Sequence, residues 1–192
     1  EDGINEHGLA VGLTSVASLT LTPGINAGMM LRLFLEKCQT VEEVIALIHT
    51  LPIASNQTFV AADRLGTGVL IECGPDKTEV QYITDDHRYV CATNMFHLPE
   101  MISHSKLPKD NWFARERYQT MDNYLNSNHK VMGLKEAQNL LSGKEGFLCQ
   151  YDRKTGKDTV WSVIYYLSAQ AVYRVEGNPG RKVYKEDSRK QK

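Results

Sequence analysis

Few residues in this chain have the type and setting that chemistry requires. "CATNMFH" places Asn94 where an apolar stretch runs out into a polar loop. A side-chain amide held at a strand end can donate to a developing oxyanion; the ordinary alternative is a turn-forming asparagine. "FARERY" offers Arg115 and Arg117, either of which could anchor a carboxylate or supply a fixed charge. Arginines on an amphipathic helix are, however, usually solvated or paired with neighbouring acids. Cys91 lies close to the same strand end, but between Val90 and Ala92 it reads as a buried thiol rather than a nucleophile with a lowered pKa.

Metal and nucleotide chemistry find little support. The histidines, His7, His49, His87, His97, His104 and His129, form no compact ligand pattern, and only His97 and His104 follow Asn94 closely. Their ordinary reading is that of solvent-facing loop residues. Cys38, Cys73, Cys91 and Cys149 make no CxxC spacing. There is no GxSxG and no phosphate-cradling glycine loop. No metal and no cofactor are expected. Asn56-Gln57-Thr58 meets the glycosylation sequon, a pattern that also occurs often by chance.

The elements that must position these residues follow from periodicity. Asn5-Glu6-His7-Gly8 has the chemistry of a hairpin loop, with a strand from Gly8 to Val16 after it and only Glu1 to Ile4 before it. So short an arm leads us to expect that its full partner lies upstream in a longer parent chain. "TPGINAGMMLRLFLEKC" predicts a helix beginning at Pro23-Gly24, with Met30, Leu31, Phe34 and Leu35 on one face. "TVEEVIALIHTL" predicts a second, with Thr40 and Glu43 at capping-box spacing and Pro52 as its stop.

From Thr58 the pattern becomes a meander of short strands: "TFVAAD", "GVLIEC", "TEVQYIT" and "RYVCATN". The nearly continuous apolar runs "VLIEC" and "YVCA" imply strands covered on both faces. "NWFARERYQTMDNYL" and "GLKEAQNLLS" return to helical spacing, and "TVWSVIYYL" and "AVYRVEG" predict two strands joined around Ser168-Ala169-Gln170. The class is α+β with a largely antiparallel sheet, in a single domain covering residues 1–192.

Bulk properties exclude other classes. With 22 basic and 23 acidic side chains and no long block of either sign, the chain has no footprint for nucleic acid or a charged membrane surface. The tail "RKVYKEDSRKQK" reads as a solvated terminus. No apolar run approaches the ~20 residues of a membrane span. The sparse cysteines point to a reducing compartment, so a cytoplasmic location is expected.

In order and approximate spacing, "DGINEHGLAVGL", "PGINAGMMLRLFLEKCQTVEEVIALIHTLPIASNQTFVAAD", "GVLIEC", "YVCATN", "RERY" and "TVWSVIYYL…YRVEGNPG" resemble the choloylglycine hydrolase and penicillin V acylase group. Its acyl-CoA:6-aminopenicillanic acid acyltransferase-like branch is the most similar. The resemblance implies an N-terminal-nucleophile hydrolase fold, an αββα sandwich of antiparallel sheets, here truncated at its N-terminus. It implies cleavage of linear amide bonds, or acyl transfer, by a cysteine whose free α-amino group acts as base.

That cysteine would belong upstream of Glu1, so the 192 residues alone are expected to be inactive. Asn94 resembles the family's oxyanion-hole asparagine, and Arg117 its active-site arginine, with Arg115 a rival. Thr14 and Ser15 stand where relatives place the other oxyanion donor on asparagine or tyrosine. The implied partner is a small acyl-amide substrate, and strands left unpaired by truncation would favour a homo-oligomer. The contrasting expectation is a non-catalytic binding or structural protein on the same scaffold.

Overall fold

The protein is described by a computed structural model covering residues 1–106, 108, 111–127, 131–149, 151, 152, 154 and 156–188. It forms two compact units, Glu1–Ala114 and Arg115–Lys192. His129 and the last four residues of the basic tail lie outside the described residues.

The first unit is built on a five-stranded antiparallel sheet whose spatial order follows the chain: β1 (Asp2–Ile4), β2 (Ala10–Ser15), β3 (Gln57–Ala62), β4 (Gly68–Cys73) and β5 (Thr78–Tyr82). The hairpin loop is closed by Asn5, whose Oδ1 accepts from the N–H groups of His7 and Leu9, both at 3.1 Å. Gly8 supplies the positive φ of 84° that the turn requires. Short as it is, β1 pairs along its whole length, from Asp2 opposite Gly12 to Ile4 opposite Ala10.

Two helices connect β2 to β3. The first, α1 (Ala27–Lys37), is capped by Asn26, whose side chain accepts from Met29 N–H at 3.0 Å. The helix therefore starts after Pro23-Gly24 rather than at it. Gly24 instead passes so close to Pro52 that a Cβ would come within 2.6 Å of its carbonyl oxygen. The second helix, α2 (Val41–Ile48), takes its cap from Thr40, which accepts from Glu43 N–H at 3.3 Å. Glu43 reaches back to Gln39 N–H at 2.6 Å, closing the box one residue earlier than the spacing predicts.

Strand alternation gives the sheet two distinct faces. Leu13, Phe59, Ile71 and Val80 lie in one register row on the helix side. There Phe34 of α1 meets Phe59 edge to face, with ring centroids 5.2 Å apart, inside a core shared with Met30, Val44 and Ile48. The opposite face carries the row Thr14, Thr58, Glu72 and Glu79. All six residues of β4 are buried, as its continuous apolar run predicts.

"RYVCATN" is not a further strand. Its one β feature is an isolated bridge between Thr93 and Met95. Its continuation crosses the second face of the sheet, where side chains rather than a neighbouring strand take its backbone groups. A short helix, α3 (Pro99–Ile102), follows, and Phe96 and Met101 are buried there with Val16.

The second unit contains α4 (Ala114–Ser127, its first residue closing the first unit), α5 (Leu134–Leu141) and a small strand pair, β6 (Tyr151–Asp152) with β7 (Lys157–Asp158). A three-stranded antiparallel sheet completes it, in the order β10 (Lys185–Glu186), β9 (Ala171–Glu176), β8 (Trp161–Tyr166). The β8–β9 turn falls at residues 167–170, with Gln170 in the left-handed region at φ 54°. The tail is not wholly a solvated terminus: Lys185 and Glu186 pair with Arg174 and Tyr173, and Tyr184 is buried. Among the described residues, no helix is long and apolar enough to cross a membrane.

Candidate functional site

Three of the residues singled out from sequence meet at the end of β2. The Asn94 amide nitrogen donates to the carbonyl oxygen of Ser15 at 3.0 Å, 79 positions away in the chain. One residue earlier on each segment, the Thr14 hydroxyl donates to the Thr93 carbonyl at 2.8 Å. Thr14 and Asn94 are half-buried and the Ser15 side chain is exposed. The Thr14 hydroxyl proton is thus committed to the segment that carries Asn94.

Sequence reading missed a fourth residue. Glu72 sits within "VLIEC" and has no exposed surface. Its Oε1 accepts from the backbone N–H of His97 at 2.7 Å and its Oε2 from that of Leu98 at 3.0 Å. Burial raises its pKa to about 7, against the opposing pull of those two N–H groups. A carboxylate inside an otherwise apolar strand was the signal available, since a buried acid must find donors or be neutralised. Between Thr14 and Glu72 on the same row, the Thr58 hydroxyl is buried with no hydrogen-bond partner among the described residues.

The histidines near Asn94 both contribute backbone hydrogen bonds. His97 gives its N–H to Glu72 and places ring Nε2 3.3 Å from the Thr93 hydroxyl, and His104 offers its carbonyl to the Asn56 amide at 2.8 Å. Both lie in loops, as expected, and are half-buried rather than fully solvent-facing. Asn56, the sequon asparagine, is buried, and its amide nitrogen is hydrogen-bonded inside the fold. Among the described residues, no group of three or more His, Cys, Asp or Glu is placed to hold a metal ion.

Burial pushes the Cys38 thiol up to about 11, with help from the Glu43 charge. It pushes Cys73 up to about 12, the Gln57 hydrogen bond opposing and the Glu72 charge adding. Both are therefore neutral thiols near pH 7. Cys91 is buried as expected, although its segment is not a strand.

Arg117 belongs to the second unit, on α4, where it is half-buried while Arg115 is exposed. Burial lowers the Arg117 pKa and the neighbouring Glu116 charge raises it. Of the two rivals, only Arg117 is withdrawn from water.

Over residues 1–181 the sequence matches the family described as acyl-coenzyme A:6-aminopenicillanic acid acyl-transferase. The chain belongs to this family. Solved structures similar to this acyl-transferase family member share its fold at low identity. Penicillin V acylase from Agrobacterium tumefaciens superposes with a TM-score of 0.60 at 17% identity, over 91% of this chain and 62% of that one. A variant of conjugated bile acid hydrolase from Clostridium perfringens gives 0.61 at 16% identity, over 100% of this chain and 73% of that one. The chain thus spans less than two thirds of the penicillin V acylase chain. A search of curated proteins gave no match. The fold is the N-terminal-nucleophile hydrolase type, of mixed helices and antiparallel sheets.

Proposed function

We propose that this family member supplies the oxyanion-binding part of a cysteine amidohydrolase or acyltransferase acting on linear, non-peptide amide bonds. The nucleophilic cysteine is contributed by residues outside the 192. The observation that carries the reading is the Asn94 amide, anchored on the Ser15 carbonyl at the end of β2 in a chain of acyl-transferase ancestry. Cys38 and Cys73 support the second part, because a buried neutral thiol is neither accessible nor nucleophilic.

In this scheme the thiolate attacks the amide carbonyl, a C–S bond forms, and the oxygen gains the negative charge that Asn94 stabilises as a donor. The intermediate then expels the amine, which takes a proton from the α-ammonium group, and water or an acceptor amine releases the acyl group from the thioester. Arg117, half-buried on α4 of the second unit, is the proposed counterpart of the family's active-site arginine and keeps its positive charge. Thr14 and Ser15 serve substrate binding through Asn94, Thr14 by fixing its segment and Ser15 through its carbonyl.

The test compares the 192-residue chain with the full-length gene product on penicillin V and on a conjugated bile acid. Amine release is expected from the full-length product alone. Asn94→Ala in that product is expected to lower kcat by about 10²–10³-fold with KM little changed. Release by the 192-residue chain, or an unchanged kcat in N94A, would overturn the reading. Substrate binding by the full-length product without any release would point instead to a binding protein.

A further inference from the structure

The structure assigns Glu72 as the positioning residue of Asn94: its buried carboxylate holds one end of the segment carrying the amide, as Thr14 holds the other. This rests on the role given to Asn94 above.

The geometry is that of a strap fastened twice to a rigid sheet. At one end the Thr14 hydroxyl takes the Thr93 carbonyl at 2.8 Å. At the other, both oxygens of Glu72 take consecutive backbone N–H groups, those of His97 and Leu98. Thr14 and Glu72 belong to one cross-strand row, on β2 and β4 with Thr58 of β3 between them. Two strand spacings separate the fastenings, ~9.5 Å at ~4.8 Å per strand. Asn94 lies between the fastened positions in the chain, and its contact with the Ser15 carbonyl orients the amide on this strap.

A segment outside the sheet ladder depends on side-chain ties of this kind for its position. Misplacement by about 1 Å can cost about 10²-fold in rate. The sheet end is rigid because β4 is buried on both faces, so Glu72 transmits that rigidity to the segment.

Other charged and titratable groups stand near Glu72 among the described residues. Glu79 stands opposite it on β5 and is paired with Lys77 at 3.3 Å. Lys77 also holds Glu100 of α3 at 2.8 Å. Cys73 follows Glu72 on β4 with its thiol protonated, and the His97 ring lies on the strap itself beside Thr93.

The first measurement needs no variant. Hydrogen exchange at the His97 and Leu98 amides, corrected for intrinsic rates, should show protection rising about 3- to 10-fold between pH 6 and pH 8, because an ionised carboxylate accepts more strongly than a carboxylic acid. Glu72→Gln, which cannot ionise and offers one acceptor for two N–H groups, should abolish that rise. In the full-length gene product, E72Q should lower kcat about 10- to 100-fold with KM within about threefold. Glu72→Asp, which keeps the charge, should recover part of the loss.

Protection that is flat with pH, or a rise that persists in E72Q, would overturn the assignment and point to the His97 ring or to global stability instead. An unchanged kcat in E72Q while N94A is impaired would overturn it as well, leaving the oxyanion role of Asn94 standing. If N94A is itself unimpaired, the proposed function fails. Loss of pH-dependent protection in E72Q would then still establish the carboxylate as the fastening.

Discussion

A carboxylic acid buried in the middle of an apolar strand sets a balance that can be read at the scale of the single residue. Burial disfavours the ionised form of Glu72, whereas the His97 and Leu98 N–H groups favour it; burial is the larger effect, and the pKa rises from 4.5 to about 7. The folded state therefore keeps a proton between those two pH values that the unfolded chain has already released. Its contribution to stability is complete below the unfolded value and is lost as pH rises through the folded one. The fastening is thus strongest in the ionised form, which the fold as a whole favours least. Urea denaturation between pH 4.5 and pH 8 should show stability falling as pH rises, with E72Q giving a flatter curve. An equal slope in the two proteins would remove Glu72 from the balance. Of the candidate residues, Asn94 in the first unit and Arg117 in the second could each be picked out by residue type and setting. Glu72 was hidden because a run such as "VLIEC" reads as plain core until the donors facing it are known.

At the scale of elements, the connections are held by side chains that serve two elements at once. Asn5 closes the β1–β2 loop through Oδ1 while its Nδ2 donates to the carbonyls of Leu35 and Cys38 at the end of α1. Helix-end carbonyls lack partners within the helix, so this bond fixes where the helix lies against the hairpin. Asp63 does the same at the next turn along, at the same end of the sheet. Its Oδ2 accepts from Val41 N–H at the start of α2, and its Oδ1 accepts from Leu65 and Thr67 in the β3–β4 turn. Asp63→Ala strips the acceptor from three N–H groups around a buried position. It is expected to cost about 3 kcal/mol, measurable as a lowered urea midpoint with unchanged m-value. A loss under about 0.5 kcal/mol would mean that these groups find water instead. Neither tie could be anticipated from spacing alone, because each joins residues 22 to 33 positions apart.

For the whole molecule, the two compact units differ in how much apolar surface they bury. The first holds the large cluster built from α1, α2 and the five-stranded sheet, with Phe34, Phe59, Met30, Ile48 and Ile71 almost wholly enclosed. Among the described residues of the second unit, the buried apolar side chains are Leu140, Val172, Val175 and Tyr184. Opening free energy tracks such burial. Native-state hydrogen exchange should therefore find the amides of β8 and β9 opening at lower urea than those of β3 and β4. Coincident opening of the two sheets would show a single cooperative unit instead.

By itself the sequence determined the alternation of helices and antiparallel strands, the N-cap of α2, the turn at Gly8 and the family to which the chain belongs. Each of these is set by local periodicity, by residues with special backbone freedom, or by ordered motifs. Only the tertiary structure decided that "RYVCATN" leaves the sheet. An apolar run forms a strand only where a neighbour has an edge to offer, and this run finds side chains of the sheet's second face instead. Tertiary contact likewise joined Asn94 to Ser15 and Glu72 to His97 and Leu98, because hydrogen bonds between distant segments depend on register and face rather than on order along the chain.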